Sequence, residues 1–210
     1  MAAEIVPRMM DEKSRPFCTQ DDAAAKAAGL RAAVQLFVRN GIDATTVRDI
    51  AAASGFTNPA IFKHFDSKED MALYLFERCY LWMGGAVRAA EEGCQSNRRA
   101  KIMAVVACCL RLIDEDNEAV LFVQENLRRF WRETAQETRR FSLLGSLRAL
   151  IGGEEGPGSA PNLQASAIIG FLGQLARETY FGELPGPAAQ QAAAVNAIVM
   201  RILNEDRERL

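Results

Sequence analysis

From about residue 21 onward, apolar side chains return every three or four positions, and no stretch alternates apolar with polar as a half-buried strand would. That rhythm confines the chain to an all-α fold of about nine helices. Leu30, Ala33, Val34, Phe37 and Val38 form the inner face of a first helix, with Lys26, Arg31, Gln35 and Arg39 elsewhere and Gly41 as its stop. Thr46 to Asp49 and Ser67 to Asp70 have the spacing of capping boxes, each opening a helix. Between them Gly55 supplies a turn, and Thr57 or Asn58 caps a short middle helix whose Pro59 sits in the first turn, where no N–H is needed. The helix after Ser67 is predicted to run to about Gly93 through Leu75, Phe76, Cys79, Trp82 and Val87.

Helical faces continue beyond Asn97: Ile102, Val105, Val106, Cys109 and Ile113; Val120, Val123, Leu127, Phe130 and Trp131; then Phe141, Leu144, Leu147 and Ile151. Residues 152–161, rich in Gly and Pro, read as a mobile loop. Two last helices are expected over about 162–182 and 187–207. Residues 1–20 lack periodicity and contain Pro7 and Pro16, so a flexible arm is expected there. The predicted organisation is an arm over 1–20, a three-helix module over 21–66 and a larger helical domain over 67–210.

Composition mainly excludes. The 210 residues carry a formal net charge of -2, so any nucleic-acid contact must be local. The five cysteines are irregularly spaced and contain no C-x-x-C pair, which argues against a disulfide framework or zinc site and fits a reducing cytoplasm. No run approaches the roughly 18 apolar residues of a membrane helix, and the N-terminus has no apolar leader, so no membrane partner is expected. The chain has one histidine, His64, no Gly-rich phosphate loop, no metal-ligand cluster and no nucleophile elbow. No catalytic residue, metal or cofactor is called for.

The segment from Thr45 to Phe65 reads as helix, Gly turn, helix. Its spacing turns Val47, Ile50, Ala51, Phe56, Ile61 and Phe65 inward, with small Ala51 at the crossing, and projects the second helix toward a DNA major groove roughly 12 Å wide. Residues 45–77 resemble the TetR family of transcriptional regulators, whose pattern runs Thr, Ile-Ala, a small-Gly turn, a short helix ending in an aromatic pair and then Ser-Lys-Glu. The resemblance implies that Thr46 and Lys68 contact phosphates, that Thr57, Asn58, Ala60 and Lys63 face the groove and that His64 lies at its edge. Asn58 suits adenine, Lys63 guanine or phosphate, and Arg48 backbone or base. Two positions depart from the family: Phe62 replaces the usual Tyr and Ala60 a frequent Thr, which removes two hydroxyl donors to phosphate. Residues 22–77 hold about as many acids as bases, so Arg8, Lys13 and Arg15 of the arm are candidates for further phosphate or minor-groove contacts.

For the larger domain the resemblance implies a small-molecule pocket, with Trp82, Met103, Gln124, Phe130 and Trp131 as candidate contacts, although aromatic and Met side chains serve equally as core. Gln124 shares a face with Val120, Val123, Leu127 and Trp131 and needs a polar partner if buried. Arg128 and Arg129 are expected at the surface. The last two helices have more apolar positions than one-sided packing uses: Ile168, Phe171, Leu172 and Leu175 beside a stripe of Ser166, Ile169, Gly170, Gly173, Ala176 and Tyr180, then Val195, Ile198, Val199 and Ile202 beside Ala189, Ala193 and Ala197. A two-fold homodimer built on this pair accounts for the excess, as in the family. Cys109 belongs to an apolar face and Cys108 to the polar side with Lys101, Arg111 and Glu115, too far apart around the helix for a vicinal bridge.

The function implied is a cytoplasmic, ligand-responsive DNA-binding regulator. As a dimer it places two recognition helices about 34 Å apart on a palindromic operator and is released, as a repressor, when an unknown small molecule favours another spacing through the helix from Ser67. The alternative is a helical interaction protein that keeps this fold without specific DNA binding.

Overall fold

The computed structural model describes residues 16–18, 22–152 and 159–203. Arg8, Lys13 and Arg15 of the predicted arm lie outside the described residues, as do 153–158 of the predicted loop and the last helix beyond Leu203. Among the described residues there is no strand. The order is α1 (Ala24–Asn40), α2 (Val47–Ser54), α3 (Asn58–Phe62), α4 (Lys68–Gly93), α5 (Arg98–Glu115), α6 (Asn117–Phe130), α7 (Gln136–Arg139), α8 (Leu143–Ile151), α9 (Ala160–Tyr180), a 3₁₀ turn over Ala188–Gln191 and α10 (Ala192–Ile202). The all-α reading is therefore correct. The last predicted helix is in fact two pieces, the 3₁₀ turn and α10.

Packing divides the chain into two compact units, Met1–Trp82 with Glu118–Arg139 and Met83–Asn117 with Arg140–Leu210. In the first, α1 packs on α2 and α3, which pack on each other. Leu30, Ala33, Val34, Phe37, Ile50, Ile61 and Phe65 are its buried centre. Phe37 stacks on Phe122 of α6 with ring centroids 5.8 Å apart, and Phe76 of α4 meets Phe130 at 5.4 Å. Phe17 is 0% exposed, although it falls within the arm expected to be mobile. A single aromatic outside any periodic pattern leaves no helical signal, so its anchoring was invisible in the sequence.

α1 and α3 approach closely because residue 29 is glycine. A Cβ placed there would stand 2.6 Å from Ile61 Cγ2.

In the second unit, α5 is surrounded by α8, α9, α10 and the 3₁₀ turn. Cys108 is accordingly buried, not on a polar side, because α5 has little face left for solvent. Near its end, the Asp114 carboxylate accepts the backbone N–H groups of Ala188 at 2.6 Å and Ala189 at 2.9 Å. Ile168, Leu172 and Leu175 are buried as predicted, but Gly173 and Ala176, assigned to the free small-residue stripe, are buried too. Gly84 of α4 lies against the backbone and Cβ of Phe141, where no larger residue fits.

Candidate nucleic-acid interface

The helix-turn-helix is held by local chemistry. Thr46 caps α2 in a full capping box: its hydroxyl accepts the Asp49 N–H at 3.2 Å, and the Asp49 carboxylate accepts the Thr46 N–H at 2.8 Å and hydroxyl at 2.7 Å. These side-chain and backbone hydrogen bonds from Thr46 hold the Asp49 carboxyl below the usual carboxylate range. The second predicted box is offset by one residue. Ser67 Oγ accepts the Asp70 N–H at 3.0 Å, but Asp70 reaches back to the N–H of Asp66, at 3.1 Å, instead of that of Ser67.

At the turn Gly55 adopts φ 75° and ψ 12°, a left-handed step open to glycine, and its N–H returns to the Ala51 carbonyl. Ser54 Oγ then accepts the Phe56 N–H at 3.2 Å. This arrangement swings Phe56 out of the module: it is 39% exposed, which corrects its assignment to the inner face. Val47 and Ala51 are half-buried, and Ile50, Ile61 and Phe65 are fully inside as predicted. Thr57, not Asn58, is the N-cap of α3, although its side chain makes no capping hydrogen bond.

The predicted contact residues separate into three groups. Thr46, Arg48, Thr57, Lys63 and His64 are exposed. Ala60 and Phe62 are half-buried, with no hydroxyl to offer a phosphate. Asn58 is half-buried with its Oδ1 beneath the surface and unmet by any donor, so pairing with adenine requires that amide to turn outward. Thr46 already donates its hydroxyl proton to Asp49. Lys68, implied as a phosphate contact, gives its ammonium to the carbonyls of Ile42 at 2.6 Å and Thr45 at 2.8 Å. Sequence reasoning missed this because the two acceptors are backbone atoms more than twenty residues away and carry no side-chain signature.

Of the candidate pocket residues, Trp82, Gln124, Phe130 and Trp131 belong to the first unit and Met103 to the second. Phe130 is buried against Phe76, which makes it core. Trp131 is half-buried, edge-on to Tyr80 and beneath the Arg139 guanidinium. Gln124 and Trp82 are half-buried, whereas Leu127, placed on Gln124's inner face by periodicity, is exposed near the end of α6. Met103 lines a concavity of about 440 Å³ together with Arg99, Asn196, Ala197, Met200 and Arg201. Arg128 and Arg129 are exposed, and Arg129 Nη1 pairs with Asp43 Oδ1 at 2.8 Å. Among the described residues, no group of three His, Cys, Asp or Glu side chains is arranged to hold a metal ion. No helix there is long and apolar enough to cross a membrane.

All five cysteines are free thiols. Burial raises the Cys108 pKa and pushes Cys109 up to about 12, so neither is an activated thiolate.

A short helix presented by a capped helix and a left-handed glycine turn, with Arg48 of the first helix and Lys63 at the end of the second exposed, defines a helix-turn-helix protein. Residues 30–75 match the model of the bacterial regulatory proteins of the tetR family. It is 34% identical over 113 residues to the HTH-type transcriptional repressor KstR2 of Rhodococcus jostii, an overlap of 51% of this chain and 54% of that protein. The chain spans about half the length of the curated relatives it matches. The fold is similar to that of the ketosteroid transcriptional regulator KstR2 of Mycobacterium tuberculosis, with TM-score 0.72 and 23% identity over 88% of this chain and 97% of that one. It is also similar to that of the fatty acid degradation regulator FadR of Bacillus halodurans, with TM-score 0.66 and 19% identity over 90% and 99%.

Proposed function

We propose that this protein is a ligand-responsive DNA-binding regulator, a repressor that leaves a palindromic operator when a small molecule binds. The observation that carries the reading is the exposed surface of α2 and of the two ends of α3, where Arg48, Thr57, Lys63 and His64 stand outward on a module of the tetR-family type. Arg48 and Lys63 supply the charge that duplex phosphates require, and Thr57 and His64 supply polar groups for base edges. The relative KstR2, described as a transcriptional repressor, supports repression.

Dimerisation is proposed through α9 and α10. Leu163 is 61% and Ile198 39% exposed, and Ser166, Ala167, Gly170, Ala193, Ala194 and Ala197 lie open beside them. Small side chains of this kind allow helices of two copies to approach closely. The functional division proposed is an N-terminal arm over 1–20, a DNA-binding module over 21–66 and a ligand-binding and dimerising part over 67–210. Half-buried Trp82, Gln124 and Trp131 are candidate effector contacts in the first unit, and Met103, at its concavity, in the second.

The test is fluorescence anisotropy of the purified protein with labelled duplexes tiling its own upstream region, repeated across a salt series. Selective binding with a steep negative salt slope is expected. Weak binding, equal for unrelated duplexes of the same length in this assay and in a selection of bound genomic fragments, would overturn the proposal. A monomer by light scattering at micromolar concentration would remove the dimer from it.

A further inference from the structure

The loop between α1 and α2, residues 41–46, ends on the residue that caps α2, so its path sets where the helix-turn-helix points. It is gripped from three sides. Thr45, buried, donates its hydroxyl to the Gly41 carbonyl at 2.8 Å. Arg129 of α6 pairs with Asp43. Lys68, the first residue of α4, spans two turns of the loop with its ammonium, 2.6 Å from the Ile42 carbonyl and 2.8 Å from that of Thr45.

These are short, charge-assisted bonds. They use two of the three donors of an ammonium whose side chain is only 15% exposed. A phosphate reaching the remaining donor would meet the Glu69 carboxylate, 3.8 Å from the same ammonium, so the contact offers little net gain. Arg129 and Asp43 form an exposed pair of the weak, salt-screened kind, which leaves Lys68 as the principal clamp on the loop.

We propose that Lys68 is a positioning residue for DNA binding. It fixes α2, and through α2 the α3 packed on it, against the start of α4, and it acts on affinity through loop 42–45 without touching a phosphate. The inference rests on the DNA-binding reading for its consequence, but its geometry is testable without DNA.

The first measurement is competitive acetylation of the full chain by an N-hydroxysuccinimide acetate ester, followed site by site by peptide mass spectrometry, with exposed Lys63 as internal reference. Without DNA, Lys68 is expected to react about tenfold or more slowly than Lys63, the factor that charge-assisted hydrogen bonds of ordinary strength impose. Equal rates would overturn the proposal, whether or not the protein binds DNA. The second is a salt series with the tightest-binding upstream duplex. Lys68→Met is expected to weaken binding at every salt concentration with its slope unchanged. A slope smaller by about 0.9, restored by Lys68→Arg, would instead make Lys68 a phosphate contact. Should Lys68→Met fail to fold, the labelling rates on the unaltered protein decide.

Discussion

Replacing Gly29 with alanine tests whether the seat of the recognition helix depends on one missing methyl group. Carbon atoms settle about 3.5 to 4.0 Å apart, so a Cβ 2.6 Å from Ile61 Cγ2 obliges Ile61 to withdraw by about 1 Å. Ile61 is β-branched and fully buried, and it cannot swing aside as a long flexible chain would. Overpacking of this kind costs about 1–3 kcal/mol. Removing a glycine from the middle of α1 returns about 1 kcal/mol of helix propensity. The net expectation is a loss of about 0–2 kcal/mol, too narrow a margin for the single variant to decide.

The double-mutant cycle decides it. Ile61→Ala alone should cost about 2–5 kcal/mol, and in the double variant the clash is gone while the new Cβ occupies part of the vacated space. The two changes should therefore couple favourably by about 1–3 kcal/mol. Urea unfolding at one fixed protein concentration measures this, since self-association would make stability depend on concentration. DNA titrations should show Gly29→Ala weakened more than its stability loss explains, because α3 has moved. An additive cycle, within about 0.5 kcal/mol, would refute the argument that Gly29 exists to admit Ile61.

Thr46→Ala removes the cap of α2 and should lower stability by about 1 kcal/mol in denaturant titrations. Because hydrogen bonds from Thr46 hold the Asp49 carboxyl below its ordinary value, the stability that Asp49 contributes is complete above the normal carboxylate range. It is lost as pH falls through the depressed folded value, so melting curves of the parent and Asp49→Asn should differ at neutral pH and converge in acid. Thiol labelling of the native protein near pH 8 should strike half-buried Cys94 first and leave Cys108 and Cys109 untouched until denaturant is added. Rapid formation of a disulfide between Cys108 and Cys109 under mild oxidant would contradict the buried environment described for them. Gly84→Ala should destabilise by about 1–3 kcal/mol or more, since the new methyl meets the Phe141 backbone, which cannot rotate away; an unchanged denaturation midpoint would count against that packing.

What the sequence made legible follows how locally each feature is determined. The boundaries of α1, α2 and α4 were readable because Gly41, the Thr46 to Asp49 box and the Ser67 to Asp70 spacing act within one turn of the chain. Ile50, Ile61 and Phe65 were readable as core because a small module has one inside. The burial of Cys108 was not, since periodicity separates faces only for a helix with solvent on one side and α5 is enclosed by four elements. Phe56 was misread because its place follows from a backbone step at Gly55, not from helical phase. Lys68 shows the same limit at the interface: its hydrogen bonds to the carbonyls of a distant loop leave no mark in the sequence around it.

The carboxylate of Asp114 on the N–H groups of Ala188 and Ala189 has a mechanical consequence. A 3₁₀ turn begun by a side chain of another helix does not choose its own starting angle, and α10, which continues directly from that turn at Ala192, takes its start from the end of α5. A second copy seated on α10 would meet a surface indexed to α5, and a displacement of α5 by a degree of rotation would be passed outward, once from each subunit, across the two-fold axis. In the proposed dimer Asp114 would act as a gear tooth, converting a local adjustment within one fold into a change in how two copies mesh.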